Sequence, residues 1–193
     1  MIERQTATGA TIVAMADVEP RWYAAYTCAR HEKRVAEQLS RRSVEHYFPE
    51  YETISRWKDR RVRLSLPLFP GYVFVRVPLC ERLRVLTIPS VVRLVGFHGP
   101  AALPAEEIEK LRDGLGSLHP RPHPFLTAGD RVEIVEGPLQ GMEGILLRRK
   151  GVFRVVLSLD LIKSSVSVDL DANAIRPLRS SRGRRSRNAG GGL

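Results

Sequence analysis

The chain has 193 residues, 43% of them apolar, enough for one large or two small packed domains. Its formal net charge is +10, and five arginines of that excess (Arg179, Arg182, Arg184, Arg185 and Arg187) fall in the last stretch of sequence with no acid among them. A basic body with a more basic end points to nucleic acid, or to an assembly rich in it. Cys28 and Cys80 are too far apart in sequence to indicate a disulfide framework or a zinc site, and a reducing cytosol fits. No run approaches the roughly 20 apolar residues of a membrane span.

Residues 1–20 carry no hydrophobic period and read as a frayed arm. Trp22 to Thr27 is a short aromatic strand leading into a helix from about Ala29 to Arg42. At helical spacing Arg30, Arg34 and Arg41 share a stripe with Glu37, while Val35, Ala36 and Leu39 lie opposite. That stripe is the first region's candidate for phosphate contact, with a solvated helix face as the alternative for any single arginine. His46 to Tyr51 is a short aromatic strand broken by Pro49, and Trp57 to Arg63 reads as a basic hairpin tip.

The returning strand runs into Leu66-Pro67-Leu68-Phe69-Pro70-Gly71 and then Tyr72 to Val77. Pro67 and Pro70 deny helix, and Gly71 permits a turn that most side chains resist. Val73, Val75 and Val77 alternate with Tyr72, Phe74 and Arg76, the pattern of a half-buried strand. Its aromatic face is either offered to a partner or part of an ordinary core. A short helix over Cys80 to Thr87, a strand over Val91 to Val95 and a helix from Pro104 to Gly114 and Gly116 complete a compact α/β sandwich.

Leu118 to Pro124 alternates prolines and predicts an extended linker; His119 and His123 there lack the company a metal needs. From Gly129 the period is two: Val132 and Ile134; Ile145 and Leu147; Phe153, Val155, Leu157 and Leu159; Val166, Val168 and Leu170. Short strands separated by glycines and by the turn Arg149-Lys150-Gly151 predict a small β-barrel. Carried past Leu159, the alternation puts Leu161 inward and Ile162 outward, as a docking knob or a plug over the barrel mouth. From Arg179 on, the composition predicts disorder.

Trp22-Tyr23 opening a strand, Phe69-Pro70-Gly71-Tyr72-Val73, and Gly129-Asp130-Arg131-Val132 followed by Gly137-Pro138, Gly141 and Gly144-Ile145 resemble the NusG family of transcription elongation factors. The resemblance spans residues 21–178. It implies an α+β chain: a ferredoxin-like α/β sandwich amino-terminal (NGN) domain over 21–117, a Pro-rich linker over 118–126, and a small SH3-like five-stranded β-barrel (KOW) domain over 127–178. An arm (1–20) and a basic tail (179–193) flank them.

The same resemblance implies that the first domain binds the clamp helices of RNA polymerase through Tyr26, Phe69, Pro70, Tyr72 and Phe74. Glu81 and Arg82 would approach the far side of the DNA cleft. It implies a KOW domain that recruits a small-subunit ribosomal protein or Rho through Leu161 and Ile162. Arg149-Lys150 and the Val156 to Leu161 run look more like the specialised, operon-targeted relatives. So does Ile162-Lys163-Ser164, where the housekeeping member usually has Phe-Gly-Arg. In such relatives the first helix reads exposed non-template DNA, which nominates Arg30, His31 and Arg34, with Arg41 on the same stripe.

The leading expectation is therefore a non-enzymatic, cytoplasmic, monomeric elongation or antitermination factor with no cofactor, no metal and no membrane partner. A ribosomal or other RNA-binding KOW protein is the alternative. An enzyme is third, because no nucleophile elbow, phosphate-cradling loop or paired acids occur at motif spacing. Strict alternation with β-branched residues also predicts that the second domain is a stable strand structure rather than a helical one.

Overall fold

The computed structural model describes residues 18–56, 60–124, 129–149 and 152–178. Residues 1–17 of the expected arm, the tip residues Trp57 to Asp59, residues 125–128, Lys150-Gly151 and the basic tail lie outside these. Among the described residues no helix is long and apolar enough to cross a membrane.

Four antiparallel strands form the first sheet: β1 (Arg21–Thr27), β2 (Glu45–Tyr47), β5 (Tyr72–Val77) and β6 (Val91–Leu94), in the spatial order β2-β5-β1-β6. Between β2 and β5 the chain leaves the sheet as a separate two-stranded ribbon, β3 (Glu50–Arg56) and β4 (Arg61–Pro67). Two helices cover one face: α1 (Glu32–Arg41) and the single turn α2 (Leu83–Leu86). Val35 and Leu39 of α1 meet Tyr23, Ala25, Val73, Val75, Val77 and Val85 there, so the valine side of β5 lies on a core as its alternation predicts.

The other face is also covered. Helix α3 (Ala105–Gly114) lays Ile108 and Leu111 against Trp22, Ala24 and Phe74. Phe74 is 0% and Phe69 1% exposed, and the two rings meet edge to face with centroids 5.2 Å apart. The half-buried reading of β5 is thus corrected. Its aromatic side is overlaid by a helix drawn from thirty residues further on, which alternation within one strand does not reveal.

The second sheet is open and wholly antiparallel, in the order β12-β8-β9-β10-β11-β7. Its strands are β7 (Arg121–His123), β8 (Asp130–Ile134), β9 (Glu143–Arg149), β10 (Val152–Leu159), β11 (Ser164–Leu170) and β12 (Ile175–Pro177). The described residues from Asp130 onward are strands joined by turns, with one 3-10 turn at Ala172–Ala174. β7 comes from the stretch read as an extended linker: it is extended, and Arg121, Pro122 and His123 pair with Ser167, Val166 and Ser165. Pro122 has no N–H to give, and an edge strand is where a sheet accepts that.

Val132, Ile134, Val155, Leu157, Leu159, Val166 and Val168 are buried as their period predicts. One continuous apolar cluster joins the two sheets, running from Trp22, Phe69 and Phe74 through Ile108, Leu111 and Leu115 to Leu139, Met142 and the strands of the second sheet. Gly114, expected only as a helix stop, has a second role: a Cβ there would lie 2.3 Å from Leu139 Cδ2, so the helix end is bare where the 137–142 turn packs on it.

Candidate functional site

Helix α3 covers only part of its face of the first sheet. At the other end of β1 and β5 the register places Tyr26 opposite Tyr72 and, on its other side, opposite Arg93. The two tyrosine rings are tilted with centroids 5.5 Å apart; Tyr26 is 39% exposed, Tyr72 half-buried and Arg93 exposed. Beside them a groove of about 710 Å³ runs between the start of α1, the base of the β3–β4 ribbon and the Pro70-Gly71 turn. Phe48, Tyr51, Leu66 and Pro67 line it, with Arg30 and Lys33 at its basic rim.

The turn that shapes the groove is held on both sides. Gly71 has φ +84°, a conformation that most side chains resist, and its N–H donates to Glu32 Oε1 at 2.7 Å while its carbonyl accepts from Thr27 N–H at 2.8 Å. Glu32 is only 4% exposed, so this carboxylate from the first turn of α1 is spent on one backbone donor of the turn. Thr27 Oγ1 is buried without a partner among the described residues.

Arg30 and His31 do not belong to the helix. α1 begins at Glu32, and Arg30 stands in the left-handed region, with φ 65°, in a turn stitched to the loop before β6. Cys28 N–H donates to Ser90 O at 2.9 Å, and His31 Nδ1 shares a hydrogen bond of 2.7 Å with Ser90 Oγ. The expected single stripe is therefore divided. Arg34 and Arg41 ride on α1, exposed and about 10 Å apart along its axis. Arg30 instead sits with Lys33 at the groove, a pairing the helical wheel missed because it extended the helix over residues 29–31.

Of the residues nominated for a polymerase surface, the structure brings Tyr26, Pro70 and Tyr72 together at the groove. Phe69 and Phe74 lie beneath it in the core: they support the turn but offer no surface, a correction to their expected role. Glu81 and Arg82 are exposed at the opposite end of β5, roughly 17 Å away along the strand. Glu81 pairs with Arg84 at 2.6 Å, and Arg82 donates to Leu79 O at 3.3 Å. α2 is fixed to α1 by Arg42, which donates to Arg84 O at 2.8 Å.

In the second sheet, β10 ends at Leu159 and Asp160 to Lys163 form a turn, so the alternation does not carry across. Ile162 is consequently 4% exposed within the joint core and Leu161 half-buried against it, so of the two readings of Ile162 the side chain is folded in rather than displayed. The same turn approaches α3. Burial first, and the neighbouring Asp160 carboxylate second, push the Glu107 carboxyl above its ordinary value. At the far end of α3 Tyr47 donates to Leu111 O at 3.0 Å, and burial pushes its phenol well above the usual range. No group of His, Cys, Asp and Glu able to hold a metal occurs among the described residues.

Comparison with known proteins shows which lineage this arrangement resembles. The family described as transcription termination factor nusG matches residues 20–112, the segment that builds the first sheet, its helices and the groove. Over that segment the chain is similar to the NusG family. A transcription termination/antitermination protein NusG from Buchnera aphidicola is 25% identical over 175 residues, covering 81% of this chain and 95% of its own length. Its namesake from Vibrio parahaemolyticus is 29% identical over 140 residues, covering 64% and 76%. The solved structure described as domain interaction in Thermotoga maritima NusG shares 19% identity and a TM-score of 0.53 over 84% of this chain and 99% of its own, a likeness of fold.

Proposed function

We propose that this chain is a NusG-family transcription elongation and antitermination factor that docks on RNA polymerase through the groove beside Tyr26, Pro70 and Tyr72. The observation that carries the reading is the partly exposed tyrosine pair beside a groove lined by Phe48, Tyr51, Leu66 and Pro67, whose turn is pinned by Glu32. An amphipathic helix fits such a groove by laying its apolar face on Tyr26, Tyr72 and Leu66, and the clamp helices of the polymerase are helices of that kind. Glu81 and Arg82, at the other end of β5, supply a second contact across the cleft. A factor held at both points binds the closed polymerase better than the open one and shifts the population toward the unpaused state. It works by binding rather than by bond chemistry.

Arg30, Arg34 and Lys33 then face displaced non-template DNA, where guanidinium groups combine phosphate contact with reading of base edges. Residues 21–117 are assigned to a ferredoxin-like NGN domain, supported by the strand order β2-β5-β1-β6 with α1 and α2 on one face. Residues 127–178 are assigned to an SH3-like KOW domain that recruits a second factor, with 118–126 joining the two. Ile162-Lys163-Ser164 supports a specialised, operon-targeted member.

In vitro transcription tests the reading. Purified chain added to bacterial RNA polymerase shortens the lifetime of a defined pause, and the Tyr26→Ala, Tyr72→Ala variant does not. Unchanged pausing with polymerase from the source organism, together with retention of ribosomal RNA, would favour the RNA-binding alternative.

A further inference from the structure

The β3–β4 ribbon stands apart as a two-stranded sheet of its own, and its two faces differ in chemistry. Tyr51, Thr53, Ser55, Val62 and Leu64 are half-buried along one side. The register puts Arg56 directly opposite Arg61, and Arg63 opposite Ile54, on the other, exposed side. Like charges directly opposite one another work against a hairpin. Neither Arg56, Arg61 nor Arg63 has a hydrogen-bond or ion-pair partner among the described residues; of the acids on β3, Glu50 lies at the ribbon's base and Glu52 sits diagonally from Arg63 on the same face. Three guanidinium groups thus lie side by side on one exposed face of the ribbon with no partner among the described residues, an arrangement that a polyanion would relieve.

We propose that this arginine face binds the sugar–phosphate backbone of double-stranded nucleic acid, as a contact separate from the α1 arginines. The proposal rests on the reading of the chain as a transcription factor and adds a duplex site to it. A two-stranded ribbon matches the width of a B-DNA major groove, about 12 Å. Arginines two residues apart on one strand are spaced by about 7 Å, a distance over which guanidinium forks engage successive phosphates of one strand. Ile54, 63% exposed between the arginines, sets an apolar side chain where sugars or thymine methyls would lie.

The test is fluorescence anisotropy of a labelled DNA duplex with the full chain over a series of salt concentrations, comparing wild type with the triple variant Arg56→Gln, Arg61→Gln, Arg63→Gln. Each lost phosphate contact lowers the slope of log affinity against log salt by about 0.9, so the triple variant's slope falls by about 2 to 3. The corresponding lysine triple variant restores it, and circular dichroism checks that both variants fold. An unchanged duplex slope overturns the proposal, as does a loss confined to a single-stranded probe. A loss of polymerase capture with no change in duplex binding also overturns it and gives the face to a protein. Polymerase capture by wild type is scored separately, so failure of the transcription reading and failure of the ribbon site leave different patterns.

Discussion

Replacing Glu32 with alanine removes the acceptor that holds the Pro70-Gly71 turn against α1. The carboxylate is 4% exposed and 2.7 Å from Gly71 N–H, and hydrogen bonds to charged groups contribute about 1.5–3 kcal/mol net. Its place in the first turn of α1 adds about 0.3–1 kcal/mol against the helix dipole. The groove admits water to the freed N–H and returns part of this, so the expected loss is about 2 kcal/mol. For a chain of this size that lowers Tm by roughly 4–8 °C. Glu32→Gln keeps an acceptor oxygen and loses less than half as much. Thermal melts and urea midpoints of the three proteins measure both effects, and polymerase affinity should fall in the order wild type, glutamine, alanine as the turn loosens. An alanine variant as stable as wild type, or a glutamine variant as unstable as alanine, would refute the argument that this single bond anchors the groove.

Two further predictions concern the junction between the sheets. Gly114→Val places side-chain atoms within Leu139 and costs about 1–3 kcal/mol in chemical denaturation, and the double variant Gly114→Val, Leu139→Ala loses less than the sum of the two single losses because the smaller side chain makes room; strictly additive losses would mean the contact is not formed in solution. Because the folded state raises the Glu107 carboxyl, the group stabilises the fold when protonated, and that stability is lost as pH rises from the ordinary glutamate value through the raised one. Glu107→Gln should therefore be more stable than wild type at neutral pH, with the gap closing below about pH 4, where both states are protonated. Equal melting temperatures at neutral pH would contradict it.

Local pattern carried much of this architecture. Pro104 with Glu106 and Glu107 ahead of Ile108 and Leu111 specified α3, and the period-two runs located β8 to β11, because each signal lies within one element. What pattern missed depended on groups distant in sequence. Tyr72, Phe74 and Arg76 read as one outward face, but α3 covers Phe74 and leaves Tyr72 and Arg76 on either side of it only half-buried. Glu32 read as an ordinary acid in a first helical turn, and nothing local showed that Gly71, 39 positions away, would take its oxygen. Ile162 was legible only as a choice between display and folding in, because alternation holds only while the strand lasts and β10 stops at Leu159. The Tyr26–Tyr72 pair was half legible: both residues were nominated, while their neighbours Lys33, Phe48, Tyr51 and Leu66 required the fold to bring β3–β4 beside α1.

Binding of purified bacterial RNA polymerase by wild type and by Tyr26→Ala, Tyr72→Ala tests the central claim most directly. Both side chains are at least partly exposed, so the variant keeps its core, whereas truncating buried Phe69 or Phe74 would cost about 3–5 kcal/mol and confuse folding with binding. The account predicts that wild type is retained on polymerase and that the folded double variant is not. Retention of the double variant at wild-type affinity would place the polymerase contact elsewhere on the chain.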